Sequence, residues 1–191
     1  MARAVKHDTT ALLNAATRLV GRHGPAGVTM AAVAREAGAP SGSVYHRFPT
    51  RTALLAALWL RTVHRFQEGF LTAVTERSPV RAACHVVAWC RTHPEEARVL
   101  LAGAAAFDEE NWPEHARADL RAANRRVADA LRNLAVVLPL EIDRLALITV
   151  DLPYAVVRRA LQSGRSVSVR SERLVADCAA TLLGSVLQGA G

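Results

Sequence analysis

Residues 28–51, VTMAAVAREAGAPSGSVYHRFPTR, leave the backbone few choices. Thr29 is placed to cap a helix, because its hydroxyl accepts from a backbone N–H that has no partner in a first turn. Val33, Ala34 and Ala37 then make an apolar strip at helical spacing, while Arg35 and Glu36 face water. Gly38 ends that helix in the left-handed conformation, which costs little without a Cβ, and Ala39-Pro40 turns the chain off the axis. A second short helix follows from Pro40 or Ser41 to about Arg47, with Val44 and Phe48 inward at i and i+4. Ser41, Ser43, Tyr45, His46 and Arg47 are left on its outer face. Two short helices joined by a glycine turn, with small polar residues opening the second, make the helix-turn-helix arrangement that sets its second helix in the major groove of double-stranded DNA.

Charge is distributed to match. Residues 1–51 hold seven Lys/Arg (Arg3, Lys6, Arg18, Arg22, Arg35, Arg47, Arg51) against Asp8 and Glu36, a net +5, whereas the other 140 residues carry 17 basic and 15 acidic side chains, a net +2. Positive charge is concentrated where phosphate binding requires it. Lysine occurs once and arginine 23 times, which reads as a composition bias of the genome.

The rest of the chain is helical in pattern. Leu12, Leu13, Ala16, Leu19 and Val20 predict a first helix over about 9–22 that packs across the other two. Thr50 opens a longer helix to about 77, with Leu55, Leu58, Trp59, Val63, Phe66 and Phe70 inward. Further helices are expected at about 80–92, 94–107, 113–138, 141–163 and 170–188, bounded by Pro79, Pro94, Pro113 and Pro139, with Pro153 kinking or splitting the fourth. No run alternates with the period of a strand, so the fold class is all-α: a three-helix head over 1–51 and a helical body over 52–191.

The last two helices carry wide apolar faces. Leu152 and Val156 on one and Leu174, Cys178, Leu182 and Val186 on the other are more than a single core needs. Ala179, Ala180 and Gly184 allow close approach, which predicts a four-helix homodimer interface; the alternative is that both helices are core.

Several other chemistries find no support. Gly21, Gly24 and Gly27 fit neither GxGxxG nor a Walker motif and follow no strand, so they read as turns. There is no GxSxG and no HExxH. Asp108, Glu109, Glu110, Glu114 and His115 are explained as a solvated loop and helix start before a metal site need be invoked. An enzyme, a metal and a cofactor are therefore not expected. Cys84, Cys90 and Cys178 are too scattered for a disulfide framework; they read as buried free thiols, with redox sensing as the alternative. No signal peptide is visible, and the apolar run Val99–Phe107 falls far short of the ~20 residues that span a bilayer. A soluble, cytoplasmic protein with no membrane partner is expected.

Residues 10–58 resemble the tetracycline-repressor (TetR) family of bacterial transcription regulators. The likeness rests on Leu12-Leu13-x-Ala15-Ala16, Leu19, Gly24, Gly27-Val28-Thr29-Met30, Val33-Ala34, Glu36-Ala37-Gly38, Gly42-Ser43-Val44-Tyr45-His46-Arg47-Phe48, Arg51 and Leu54-Leu55. Pro40 stands where family members often carry a polar cap. Arg51 replaces a more usual lysine, keeping the charge and adding a planar fork. The resemblance implies phosphate contacts for Thr29, Tyr45, His46 and Arg51; Tyr45 packing on the first helix and a merely solvated His46 are the alternatives. Ser41 and Ser43, with Gly42 allowing close approach, are candidates for base edges, and Arg47 for either role. It also implies a homodimer on a palindromic operator, and C-terminal helices that enclose a small-molecule effector whose binding spreads the heads. Phe66, Phe70, Trp89, Phe107, Trp112 and Tyr154 are the pocket candidates, with core packing as the alternative; their apolar character points to a mainly hydrophobic effector. The function expected is a repressor released by that ligand; the alternative is an activator or an architectural DNA-binding protein without one.

Overall fold

The computed structural model describes residues 9–189, with side chains through residue 184. Among the described residues the structure is helical and holds no strand, in agreement with the all-α expectation. In order the elements are α1 (Thr9–His23), a 3-10 turn (Pro25–Gly27), α2 (Met30–Ala37), α3 (Ser41–Arg47), α4 (Arg51–Thr75), α5 (Pro79–Thr92) and α6 (Pro94–Ala102). Two 3-10 turns (Ala104–Phe107, Glu109–Asn111) lead to α7 (Glu114–Val137), α8 (Ile142–Ala146), a π-helical turn (Leu147–Asp151), α9 (Leu152–Gln162) and α10 (Val169–Gly189).

The helix ends follow local chemistry. Thr29 Oγ1 accepts from the Ala32 N–H at 3.1 Å, and Thr50 Oγ1 from the Ala53 N–H at 3.1 Å. Gly38 closes α2 at φ 62, ψ 28, where a Cβ would be strained. Two expected helices are divided. The one expected over 94–107 stops at Ala102, because Gly103 turns to φ 78 and Asp108 to φ 64, leaving two 3-10 turns that Trp112 holds by donating its indole N–H to the Phe107 carbonyl at 2.7 Å. The one expected over 141–163 contains the π turn just before Pro153, whose missing N–H cannot bond back into an α-helix.

Packing divides the chain into two compact units. One runs to Thr62 and takes in Arg98–Leu120; the other holds Val63–Ala97 and the chain from Arg121 onward. The packing boundary within α4 falls after Thr62. The physical reason lies in α4, whose Arg61 donates to Asn14 Oδ1 (2.9 Å) and Thr17 Oγ1 (2.8 Å) on α1, while Trp59 packs on Phe107 with ring centroids 5.3 Å apart.

In the first unit α1 packs on α2 and α2 on α3 around Leu12, Ala16, Val28, Val33 and Val44, all fully buried. In the second, α5 lies against α9, α10 and the π turn. Phe70, Val74, Val86, Leu131, Leu134 and Leu145 centre its core, and Phe66 stacks on Phe70 and meets Trp89 edge-on. His85 Nε2 lies 2.9 Å from the Phe66 carbonyl, so that nitrogen carries the proton and donates. Burial holds the His85 pKa below its ordinary value and keeps the ring neutral.

The His85 ring fits only because residue 69 has no side chain: a Cβ on Gly69 would stand 2.3 Å from His85 Cε1. Gly69→Ala is expected to destabilise the protein by about 1–3 kcal/mol through overpacking. Urea unfolding of a double-mutant cycle with His85→Ala checks the cause: the alanine at 69 should cost less once the ring is gone, and strictly additive costs would refute the contact.

Candidate nucleic-acid interface

Seven residues are too few for a helix to stand alone in water, so α3 exists because its apolar side is buried. Val44 is fully buried and Phe48 nearly so, and their spacing sets the rotation of the helix. That rotation leaves Ser41, Gly42, Tyr45 and His46 exposed, with Ser43 and Arg47 half-buried. Tyr45 is 55% exposed. Arg47 donates from Nη1 to Thr9 Oγ1 at 3.2 Å, which orients the guanidinium along the edge of the head. Thr29 is exposed at the start of α2, its hydroxyl oxygen accepting from Ala32. The hydroxyl proton stays available for a further acceptor.

Arg51 is half-buried and spends two of its donors on the backbone. Its Nε donates to the Val28 carbonyl at 2.7 Å and its Nη2 to the Pro25 carbonyl at 3.1 Å. The planar fork clasps the turn ahead of α2 to the start of α4, so it orders the head from within. Glu36, which helical spacing alone sets toward water, is likewise engaged. The structure half-buries it between Arg18 and Arg22 of α1, the Arg18 Nε donating at 2.7 Å, and these two guanidiniums hold its carboxyl below the usual carboxylate range. The stabilisation from a lowered carboxylate pKa is present above that range and is lost as pH falls through the lowered value. A separation of 18 residues hid this pair from any local pattern. Much of the head's basic charge is thus spent internally. Arg35 is exposed and makes no hydrogen bond or ion pair among the described residues.

The six aromatic pocket candidates are divided between the two units. Phe107 and Trp112 are fully buried in the first unit and bonded to each other through the indole N–H. In the second unit Phe66, Phe70 and Trp89 cluster, whereas Tyr154 is 44% exposed on α9. Its place just after Pro153 turns it outward. Gln67 of α4 is buried, its Nε2 donating to Asn124 Oδ1 at 3.4 Å while its Oε1 has no partner.

Of the interface candidates, Leu152, Val156, Cys178 and Leu182 are half-buried and Leu174 is exposed; Val186 lies outside the described side chains. Leu147, Val150 and Val169 add exposed apolar surface on the same elements. Cys84, Cys90 and Cys178 are free, and burial pushes the Cys90 thiol up to about 12, far from a reactive thiolate at neutral pH. Among the described residues no group of three His, Cys, Asp or Glu is arranged for a metal, and no helix is long and apolar enough to cross a membrane.

A short helix whose inner side is locked by two apolar residues and whose outer side offers hydroxyls, an imidazole and a phenol defines a helix-turn-helix DNA-binding head. Residues 12–58 match the sequence model described as bacterial regulatory proteins, tetR family. Solved structures extend the likeness of fold over the whole chain. A TetR family transcription regulator from Marinobacter aquaeolei VT8 is 18% identical with a TM-score of 0.69, covering 91% of this chain and 94% of its own. The fatty acid degradation regulator FadR from Bacillus halodurans is 16% identical with a TM-score of 0.69, covering 96% and 97%. FadR from Bacillus subtilis, in complex with stearoyl-CoA, is 11% identical with a TM-score of 0.65, covering 93% and 96%. No curated protein matches the chain in sequence. The amino-terminal head thus matches the tetR family model, and the chain as a whole shares the fold of these regulators.

The clasp made by Arg51 gives a test that separates charge from geometry. Arg51→Ala should destabilise the head by about 1.5–3 kcal/mol for each charged hydrogen bond lost. Arg51→Lys keeps the charge but not the fork, and should recover little of that stability in thermal unfolding. Full recovery by lysine would mean that Arg51 acts by charge alone.

Proposed function

We propose that this regulator binds as a homodimer to a palindromic operator in double-stranded DNA, acting as a repressor that a small, mainly hydrophobic ligand releases. The observation that carries the reading is the outward face of α3. Ser41, Gly42 and Ser43 at its start are suited to base edges, and Tyr45 and His46 one turn later to phosphates, with Thr29 beside them on α2 and Arg47 in either role. Arg51 acts indirectly, by holding the turn from which α2 begins.

One such helix reads few base pairs. Two heads on a two-fold axis reach successive major grooves about 34–36 Å apart, which makes dimerisation part of specificity. Support for the dimer comes from the large apolar side chains that α9, α10 and the π turn leave in water, Leu174 at 53% exposure and Leu147 at 45%, while Val157, Val175 and Ala179 on the same elements already fill the core. Apolar surface of that kind marks an interface.

Support for an apolar effector comes from the second unit. Phe66, Phe70 and Trp89 supply aromatic surface, and a ligand N–H or O–H would satisfy Gln67 Oε1. Stearoyl-CoA bound to the Bacillus subtilis neighbour is a precedent for a ligand with a long apolar chain. A ligand that favours the non-binding state by ~3 kcal/mol shifts the equilibrium about 150-fold, which is enough for a switch. The second reading, an activator or architectural protein with no effector, draws on the tight packing of Phe107 and Trp112.

Selection of bound sequences from a randomised duplex library, at two salt concentrations, tests the reading. Enrichment of a two-fold symmetric site is expected. Leu174→Glu, on an exposed side chain, should leave the fold intact, give monomers in sedimentation and weaken binding to that site. Binding that fades with salt and enriches no sequence, or full-strength binding by a monomeric variant, would refute it.

A further inference from the structure

The turn from α4 into α5 borders an open cleft of about 240 Å³ that lies against the carboxyl-terminal part of α7. Val74, Ala130, Leu134 and Val137 give it an apolar lining, to which Arg77 and Asn133, both exposed, add polar groups. No carboxylate lines it. The two acids adjoining it in sequence are engaged elsewhere, Glu76 by Arg81 and Asp129 by Arg132. The Arg77 guanidinium makes no hydrogen bond or ion pair among the described residues. None of the lining residues belongs to α9, α10 or the π turn, the elements assigned to the homodimer contact, and Phe66, Phe70 and Trp89 do not line it.

Arg77 is held at this cleft against the preference of its own backbone. α4 ends in a Schellman motif, the Arg77 N–H donating to the Val74 carbonyl at 3.0 Å and the Ser78 N–H to the Ala73 carbonyl at 3.1 Å. The residue that closes such a motif is left-handed, and Arg77 takes φ 56. Glycine fills that position without a Cβ cost, as Gly38 does at the end of α2. The arginine therefore carries a backbone cost that no side-chain bond offsets among the described residues. Non-glycine residues kept in this region cluster at sites that clamp a ligand. Val137, at the end of α7, also stands in water at 47% exposure, while Val74 and Leu134 behind it are buried.

We propose that this cleft binds a monocarboxylate with a short apolar chain, the carboxylate held by Arg77 and the Asn133 carboxamide and the chain laid over Val74, Leu134 and Val137. One guanidinium fork matches one carboxylate in bidentate fashion, and an amide N–H adds a further bond. The volume equals that of about eight waters in the liquid at ~30 Å³ each, which suits an acid of about six carbons and not a long acyl chain. A multiply charged anion is a poorer occupant, because a single arginine leaves its second charge unmatched. The site is separate from the aromatic cluster offered to the effector and does not rest on the regulator reading.

Calorimetric titration of the full chain with hexanoate, acetate and 1-hexanol provides the test. Hexanoate is expected to bind at one site per chain, and acetate and 1-hexanol, each lacking one half of the match, about tenfold or more weakly. Arg77→Gly should weaken hexanoate about tenfold or more, since hydrogen bonds to charged groups are the strong ones. Its unfolding midpoint should be unchanged or higher, because glycine suits the left-handed position. Val137→Asp, on an exposed side chain, should also weaken hexanoate by setting a like charge beside it. The proposal is overturned by no binding of hexanoate, by equal binding of acetate or 1-hexanol, by unchanged binding in either variant, or by a lower midpoint for Arg77→Gly, which would mean that the arginine is kept for the fold. Hexanoate lodged among Phe66, Phe70 and Trp89 instead would be indifferent to Arg77→Gly, so failure here and failure of the effector reading are told apart.

Discussion

Burial of Val44 and Phe48 is the constraint on which the functional surface depends. A helix of seven residues has no independent stability, so its existence and its rotation are both set by what those two side chains touch. Rotating α3 by one residue would bring Tyr45 toward the core and turn Val44 to water. The outer face is therefore a consequence of the inner one.

A layer of arginine chemistry supports that arrangement. Arg51 fastens the turn before α2, Arg61 fastens α4 to α1, and Arg18 with Arg22 holds Glu36 of α2. Each replaces an oxygen's contact with water by a directed bond inside the head, and the planar fork of arginine suits this better than the point charge of lysine. The formal charge of the head consequently overstates what remains to meet phosphate. Tyr45, His46, Thr29 and the exposed Arg35 stand outside these clasps.

The second unit shows a comparable economy around α4 and α5. Gly69 makes room for the His85 ring, which donates to a carbonyl of α4 and rests against Phe66, and Phe66 in turn contacts Trp89. Aromatic surface is thereby concentrated where α4 meets α5. The helices beyond it carry apolar side chains on two sides, one filling the core and the other left in water.

The local elements were legible in the chain itself. Thr29, Gly38 and Thr50 act through bonds that span three or four residues, and apolar spacing reports which side of a helix is inward, so α1 to α5 and the helix-turn-helix followed from sequence alone. Gly103 and Asp108 escaped because an apolar run continues across them, and spacing cannot register a left-handed residue inside it. Tertiary structure alone decided the rest. It set Arg51 against the Val28 and Pro25 carbonyls, paired Glu36 with α1 and packed Trp59 on Phe107. The physical reason is range: backbone caps and helical periodicity act within a turn or two, whereas the partner of a long side chain is whichever group folding brings within its reach.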